Sequence, residues 1–245
     1  MPTQLRKTII LCLFIFSMGL LPPDLSASPF PKEFTAWYKA SKGMFSGETI
    51  VSIKADKDNR YVYESITKVS GLMSIFGGEI HEKSIWEYAN GKIRPLRYSY
   101  NRSLGSKKRN AELTFDWNKQ IVTNSIDSQP WKMTINPDTL DKLVYQLVMM
   151  NDLQQGEKQE LNYSIADGGK LKDYKISIMG EEKIETKLGE FNTIKVVRIR
   201  GKRTTTMWCA EKLGYLPVRI HQKKKGGGEH TADIYKLEGF EDRKP

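Results

Sequence analysis

The sequence predicts a mainly β protein: a curved antiparallel sheet or half-open β-barrel with one main amphipathic helix packed against it. Three observations lead to this prediction. Short β-rich runs follow one another through most of the chain, separated by turn residues. The stretch 186–221 holds three such runs, divided by Gly189, Gly201 and Gly214, and such short connections permit only antiparallel neighbours. A single segment has the apolar spacing of a helix.

The N-terminal segment has the features of a secretory signal peptide. Arg6 and Lys7 precede a continuous apolar run at 9–21, and small residues follow at 25–28. The apolar run is shorter than the roughly 20 residues of a membrane-spanning helix. We therefore expect residues 1–27 to be removed on export. Residues 28–245 are expected to form a single antiparallel β domain in the periplasm or outside the cell, with no stable membrane span.

The charge balance of the chain points to anionic partners. Of 39 Lys and Arg and 29 Asp and Glu, the predicted signal peptide contains Arg6, Lys7 and Asp24, which leaves 37 basic and 28 acidic residues. An exported basic protein meets anionic lipid headgroups or acidic polysaccharide rather than nucleic acid. The alternative is that the charge serves solubility only. Cys209 is the sole thiol after cleavage, so stability must come from core burial and not from an intramolecular disulfide.

The predicted strands follow the chain in order. Asn90-Gly91 marks a hairpin, because both residues tolerate the positive φ angles of a type I′ turn. Pro95 predicts an edge or a bulge in the next arm, because proline cannot donate to a ladder. The predicted runs are 34–39, 45–55, 60–69, 79–89, 93–103, 110–117, 120–127, 159–166, 171–179, 182–187, 190–200, 203–210, 215–223 and 230–240.

The main helix is predicted over residues 138–154. Asn136 is suited to the N-cap, and Pro137 to the start of a helix. The apolar residues that follow recur at i, i+3, i+4, i+7 and i+8, and they are Leu140, Leu143, Val144, Leu147 and Val148. A single apolar stripe amid strands must be buried against the sheet, either at its mouth or along its concave face.

The sequence contains no recognisable catalytic or metal-binding motif. His221 and His230 flank a predicted hairpin tip at 226–228, but zinc would need further ligands. Cys209 has no activating neighbour and is expected to be a small buried side chain. Paired carboxylates for glycosidic cleavage cannot be assigned, because any two acids could meet in space. We expect no catalytic residue, metal or cofactor.

Aromatic and arginine side chains on the strands are the candidates for ligand binding. In a concave pocket, aromatic rings cover an apolar or sugar-like ligand and arginines contact anionic groups. The alternative is that these side chains form the core or cross-strand pairs. The candidate residues are Trp208, Arg219, Arg198, Tyr61, Tyr63, Tyr98 and Trp117.

Short motifs are spread along the chain after the signal peptide. They include Gly-Lys-Ile-Arg-Pro at 91–95, Phe-Asp-Trp at 115–117, Gly-Glu-Phe-Asn-Thr at 189–193 and Gly-Tyr-Leu-Pro-Val-Arg at 214–219. In this order they resemble a widespread family of secreted bacterial proteins classed as a domain of unknown function. The resemblance implies a curved sheet or half-open barrel similar to the periplasmic lipoprotein carriers LolA and LolB, with a helix against the sheet. That family has no assigned catalytic residues.

These observations together predict a periplasmic, non-enzymatic protein that binds an amphipathic envelope component in its curved sheet. The component would be a lipid, a lipoprotein acyl chain or an anionic glycan. Two alternatives stay open: an interaction scaffold for envelope or exopolysaccharide assembly, and a hydrolase of a cell-wall polymer. A hollow interior would favour the carrier, and an interior packed with side chains would favour the scaffold.

Overall fold

The computed structural model describes residues 33–240, apart from 43–44, 58, 71–77, 105–106, 128 and 157–158. The predicted signal peptide lies outside the described residues. The helix is α1 (Val144–Gln155), and a short 3₁₀ turn covers Glu211–Leu213. The strands are β1 (Phe34–Lys42), β2 (Phe45–Ala55), β3 (Arg60–Ser70), β4 (Gly78–Ala89), β5 (Lys92–Leu104), β6 (Lys107–Asp116), β7 (Ile121–Ile126), β8 (Gln129–Thr134), β9 (Glu160–Ala166), β10 (Leu171–Thr186), β11 (Gly189–Arg200), β12 (Arg203–Ala210), β13 (Leu216–Lys224) and β14 (Glu229–Glu238).

All of these strands lie in one 14-stranded antiparallel sheet. Their order is β8-β7-β6-β5-β4-β3-β2-β1-β14-β13-β12-β11-β10-β9, so two meanders meet where the first strand pairs with the last. The predicted antiparallel sheet is confirmed. Its meander from β11 to β13 has the neighbours that the three runs of 186–221 predicted.

The sheet curls so that its two edge strands approach each other without closing into a barrel. Trp131 on β8 donates from Nε1 to the carbonyl oxygen of Gly169, in the turn after β9 (3.3 Å). Leu140, in the segment after β8, forms an isolated bridge with Ile165 of β9. A twisted sheet with this many strands tends to curl, and here the curling forms a half-open barrel.

Turns and bulges interrupt the strands at residues that the sequence identified. Asn90 and Gly91 have φ angles of 53° and 75°, which confirms the hairpin. The register of β4 and β5 shifts between Ile85 and Trp86, opposite Pro95, which confirms the bulge. The runs predicted at 171–179 and 182–187 form one strand, β10, with a register shift near Gly180. Strand β8 was not predicted.

The helix begins six residues later than the sequence predicted, at Val144 rather than residue 138. Asn136 closes a turn instead, because its Oδ1 accepts a hydrogen bond from the backbone N–H two residues on (3.0 Å). Leu140 is occupied by its bridge to β9. Asp141 then accepts hydrogen bonds from the N–H groups of Leu143 (2.8 Å) and Val144 (3.0 Å), and these bonds mark the true start of the helix.

Helix α1 lies inside the curve of the sheet. Its Tyr145 packs against Tyr163 of β9 and Tyr174 of β10, and the helix also contacts β5 on the other half of the sheet. These strands are far apart in the sheet order, so a single helix can contact all of them only from the concave face. Helix residues on all sides are buried, as expected of a helix surrounded by protein: Val144, Tyr145, Leu147, Met149, Met150 and Leu153.

The buried side chains of the sheet complete this core. One row crosses the sheet through directly paired residues, namely Ile53, Tyr63, Ser84, Tyr98 and Leu113. Cys209 is fully buried, as predicted. In the described part of the chain, no helix is long and apolar enough to span a membrane.

Candidate functional site

Charged and tyrosine side chains gather where α1 begins, on the concave side of the sheet. Strands from both halves of the sheet contribute to the group, because α1 lies between them. We call this group the α1 cluster, and it consists of Glu82, Tyr98, Lys142, Tyr145, Asp167, Lys172, Tyr174, Arg198 and Arg200.

Lys142 makes up one side of the α1 cluster. Its ammonium group donates to Glu82 Oε1 (3.3 Å) and to the hydroxyl of Tyr98 (3.4 Å), and it lies 5.0 Å from the ring centroid of Tyr100. The Tyr98 hydroxyl itself donates to Glu82 Oε2 (3.0 Å). Burial and the nearby carboxylate of Glu82 raise the pKa of Tyr98. This phenol therefore stays protonated, and Lys142 is neutralised by Glu82.

Asp167 holds the cations on the other side of the cluster. Its Oδ2 accepts hydrogen bonds from Arg200 Nη1 (2.7 Å) and the Tyr174 hydroxyl (3.1 Å), and it lies 2.9 Å from Lys172 Nζ. Burial alone would raise the pKa of Asp167, but the bond from Lys172 and the charge of Lys142 lower it below its ordinary value. Asp167 is thus ionised, and its single negative charge is shared between Lys172 and Arg200.

Arg198 is the exception within the cluster. Its guanidinium carbon lies 4.3 Å from the ring centroid of Tyr174 and 5.5 Å from that of Tyr145, and Nη1 donates to the Tyr145 hydroxyl (3.0 Å). Its Nε is buried without a hydrogen-bond partner among the described residues. Arg198 takes part in none of the ion pairs between described residues. It is a partly buried cation, fixed between two rings, with no ion-pair partner among the residues that the structure describes.

Asp141 lies beside the cluster but faces the helix. It is 0% exposed, and its Oδ2 accepts a hydrogen bond from the Ser84 hydroxyl (2.5 Å). Burial raises the pKa of Asp141 to about 6, although the hydrogen bonds from Ser84 and from two backbone N–H groups lower it. The carboxyl group is committed to capping α1, because its accepting oxygens are already bonded within the protein.

Four of the predicted binding residues, Tyr61, Tyr63, Tyr98 and Arg198, share the concave side of the sheet with α1. Tyr61, on the same face as Tyr63, stacks on Trp86 with 4.6 Å between ring centroids. Each of these aromatic residues has protein neighbours. Arg198 is the one cation of this group, and its Nε has no hydrogen-bond partner among the described residues.

Trp117 lies near the turn between β6 and β7, away from the cluster. Its Nε1 donates to the carbonyl oxygen of Pro95 (2.9 Å), and its ring stacks on Phe115. Arg94 covers the ring, with 5.6 Å between its guanidinium carbon and the ring centroid. Trp117 therefore packs against β5 and β6 and stabilises this part of the sheet.

Trp208 and Arg219 lie on the opposite, outer face of the sheet. They are directly paired, whereas the flanking Met207 and Cys209 are buried toward the core. Arg219 Nε donates to Asp233 Oδ1 (2.5 Å), beside a groove of about 500 Å³. The seven candidate residues therefore do not line a single pocket.

Sequence reasoning missed most of the α1 cluster. Lys142 was assigned to the helix, where its spacing gave no sign that it faces Glu82. Tyr174 and Asp167 meet Arg200 only through the register of β9, β10 and β11. The one usable signal was the alternation of tyrosine and arginine with apolar residues on these strands.

The described residues contain no group of three or more His, Cys, Asp or Glu that could hold a metal ion. His221 is paired with Thr231 and bonded to its hydroxyl, whereas His230 is paired with Gln222. The two histidines therefore face opposite sides of the sheet and do not converge.

Comparison with known proteins gives a family and a fold. A family model described as "Protein of unknown function (DUF3108)" matches residues 34–234. The crystal structure of a β-barrel-like protein of domain of unknown function DUF1849 from Brucella abortus is similar, with a TM-score of 0.56 and 7% identity. The likeness covers 85% of this chain and 98% of that chain, and at this identity it concerns the fold alone. No curated protein matches the chain.

Proposed function

On the premise that the chain belongs to the DUF3108 family of proteins of unknown function, we propose that it is a non-enzymatic binding protein of the bacterial periplasm. Its ligand is an amphipathic envelope component, such as a lipid, an acylated molecule or an acidic glycan. The anionic group of this ligand binds to Arg198 in the α1 cluster. The periplasmic location is part of the proposal and follows from the predicted signal peptide.

The unpaired guanidinium of Arg198 carries this proposal. A partly buried charge without a counter-charge is unfavourable, and an incoming carboxylate or phosphate would neutralise it. Arginine binds such groups through parallel N–H donors, and the rings of Tyr145 and Tyr174 hold the guanidinium plane in place. The other cations of the cluster are less available, because each already forms an ion pair with Glu82 or Asp167.

The apolar part of the ligand has to be accommodated outside the space that α1 occupies. The ring of Tyr100, which is half-buried, lies next to Lys142 and offers a face for a sugar or for the glycerol region of a lipid. Deeper entry of an acyl chain requires α1 to shift. Met149 and Met150, both buried, are side chains that adapt readily to such a change.

Native mass spectrometry of protein purified after export tests the proposal. We expect a bound mass on the wild-type protein and its loss from Arg198→Gln. Loss of a charge-assisted contact weakens binding by about 10- to 100-fold. Arg219→Gln is the matched control, because Arg219 lies on the outer face and should leave the bound mass unchanged. An unliganded wild-type protein under gentle conditions, or equal loss from both variants, would contradict the proposal.

The interaction scaffold remains a second candidate, and the position of α1 favours it. Leu147 and Met149 are 0% exposed inside the curve of the sheet, so side chains fill the region where a carrier would hold an acyl chain. In this case the wild-type protein carries no small molecule. Chemical crosslinking in the envelope should then capture a protein partner, and this capture should not depend on Arg198.

Hydrolysis is not part of the proposal. A general acid needs a raised pKa and access to its substrate. Asp141 has the first property, but it is fully buried and bonded to the backbone of α1.

A further inference from the structure

The positive charge of the chain is concentrated at one end of the sheet. We call this the basic end; it holds the seven turns β1–β2, β3–β4, β5–β6, β7–β8, β9–β10, β11–β12 and β13–β14. Counting each turn with three strand residues on either side, the sequence places fifteen Lys and Arg here against five Asp and Glu. The five turns at the opposite end have eight against seven. The excess at the basic end therefore equals the formal net charge of +10 of the whole chain.

Two neighbouring turns of the basic end form a continuous basic patch. The backbone N–H of Lys225 donates to the carbonyl oxygen of Lys202 (2.7 Å), which joins the β13–β14 turn to the β11–β12 turn. The patch consists of these two residues with Arg203, Lys223 and Lys224, and all five are exposed. Among the described residues, only Lys223 of the five has an acidic partner, at 3.8 Å from Glu229.

Cations of the basic end also face each other across strands. Arg203 is paired with Arg200 on one side and with Lys224 on the other, and Arg102 is paired with Arg109. Like charges in directly opposite positions destabilise a sheet. Charge that served solubility alone could be spread over the surface without this repulsion. Its concentration here indicates an anionic partner that relieves it.

The arrangement of the cations favours a surface over a polymer. A linear polyanion follows a groove, whereas the strand ends on one side of a curled sheet lie along a curve that a planar surface can contact. Arg198 lies three residues before the β11–β12 turn, so the α1 cluster is near the same end. A molecule leaving an anionic surface would meet Arg198 next.

We propose that the basic end docks on the surface of an anionic phospholipid bilayer, with the basic patch as its main contact. Each lysine or arginine near such a surface increases partitioning by about five-fold. This docking goes beyond the proposed function and does not depend on which molecule binds at Arg198.

Sedimentation of the exported protein with lipid vesicles tests the docking. We expect it to bind vesicles of phosphatidylcholine with phosphatidylglycerol and not vesicles of phosphatidylcholine alone. The triple variant Lys202→Gln/Lys224→Gln/Lys225→Gln removes three cations that make no ion pair with described residues. Its partition coefficient should fall by about 100-fold. At about 1 M salt the wild-type protein should also dissociate, because the Debye length shrinks to about 3 Å.

The matched control removes the same charge from the opposite end. Lys54, Lys57 and Lys212 are exposed and without ion pairs among the described residues, so Lys54→Gln/Lys57→Gln/Lys212→Gln should change partitioning by less than about three-fold. An equal loss of vesicle partitioning in the two triple variants would overturn the proposal. Wild-type binding that is equally strong with and without phosphatidylglycerol in the vesicles would also overturn it.

Two further measurements distinguish docking on a bilayer from binding to an acidic polysaccharide and from binding through Arg198. If the patch variant loses binding to dextran sulfate but keeps wild-type binding to vesicles, the partner is an acidic polysaccharide and the bilayer proposal is wrong. Arg198→Gln removes one of the fifteen cations of the basic end, but this guanidinium lies against the rings of Tyr145 and Tyr174, so vesicle partitioning should fall by less than about five-fold. Loss of its small ligand with intact vesicle binding supports both proposals, whereas loss of vesicle binding in this variant contradicts independent docking.

Discussion

Replacing Asp141 by asparagine is expected to remove a pH dependence of the folding stability. Asp141 is fully buried, and its pKa in the folded protein is about 6, against an ordinary value of 3.8. The folded state therefore holds this proton more tightly than the unfolded state. As the pH rises from below 3.8 to above 6, the free energy of unfolding falls, because the folded state must then keep a buried charge.

The magnitude follows from the two pKa values. Their difference corresponds to about 3 kcal/mol, which the wild-type protein loses between pH 4 and pH 7 on account of this group. Asparagine keeps the acceptor oxygen for the two backbone N–H groups of α1, and its amide can donate to Ser84 Oγ. The variant should match the wild-type stability near pH 4 and exceed it by up to about 3 kcal/mol near pH 7.

Urea denaturation followed by tryptophan fluorescence, at several pH values from 4 to 7, measures this difference. Groups that titrate in both proteins cancel when the two curves are subtracted. Ser84→Ala is a useful companion, because it removes a hydrogen bond that lowers the pKa of Asp141. The pH dependence should then become steeper. A difference between Asp141→Asn and wild type that stays constant with pH would refute the reasoning.

Three further predictions concern packing. Gly169→Ala should destabilise the protein by about 1–3 kcal/mol more than Gly226→Ala in thermal unfolding, because both glycines have positive φ but only the first Cβ would collide with Trp131, at 1.9 Å. Leu147→Ala should cost about 2–5 kcal/mol in urea unfolding if α1 fills the core, and a cost below about 1 kcal/mol would indicate a loose interior. Cys209 should react with a thiol reagent only after denaturation, because burial raises its pKa; rapid labelling of the folded protein would contradict this.

The strands and turns could be predicted because their signals are local. Alternating side chains mark a strand within a few residues, and Asn90-Gly91 needs only its own backbone preferences to form a hairpin. Pro95 likewise predicted an edge or a bulge from its missing N–H, and the bulge is what the strand pairing shows. Strand β8 was missed because it is short and contains Pro130, which an edge strand tolerates.

The α1 cluster could not be predicted, since its contacts join residues far apart in the chain. Lys142 meets Glu82 across 60 positions, and Arg198 meets Tyr145 across 53. Such pairs depend on the curvature of the sheet and on where α1 begins. The facing direction of Trp208 also depends on strand register, which includes a shift between Trp208 and Cys209. For these reasons the sequence identified suitable residue types but not the site.

The pairing of β1 with β14 has a consequence for the order of folding. The first eight strands can pair as a meander, and so can the last six, but strand pairing between the two parts occurs through the first and last strands. Tyr38 on β1 strengthens this seam by donating to the carbonyl oxygen of Pro217 (2.9 Å). Contacts between residues this distant in sequence form late. Until β14 is available, β1 remains an exposed edge that can pair with other chains, so the unfinished sheet is open to aggregation until the last strand arrives.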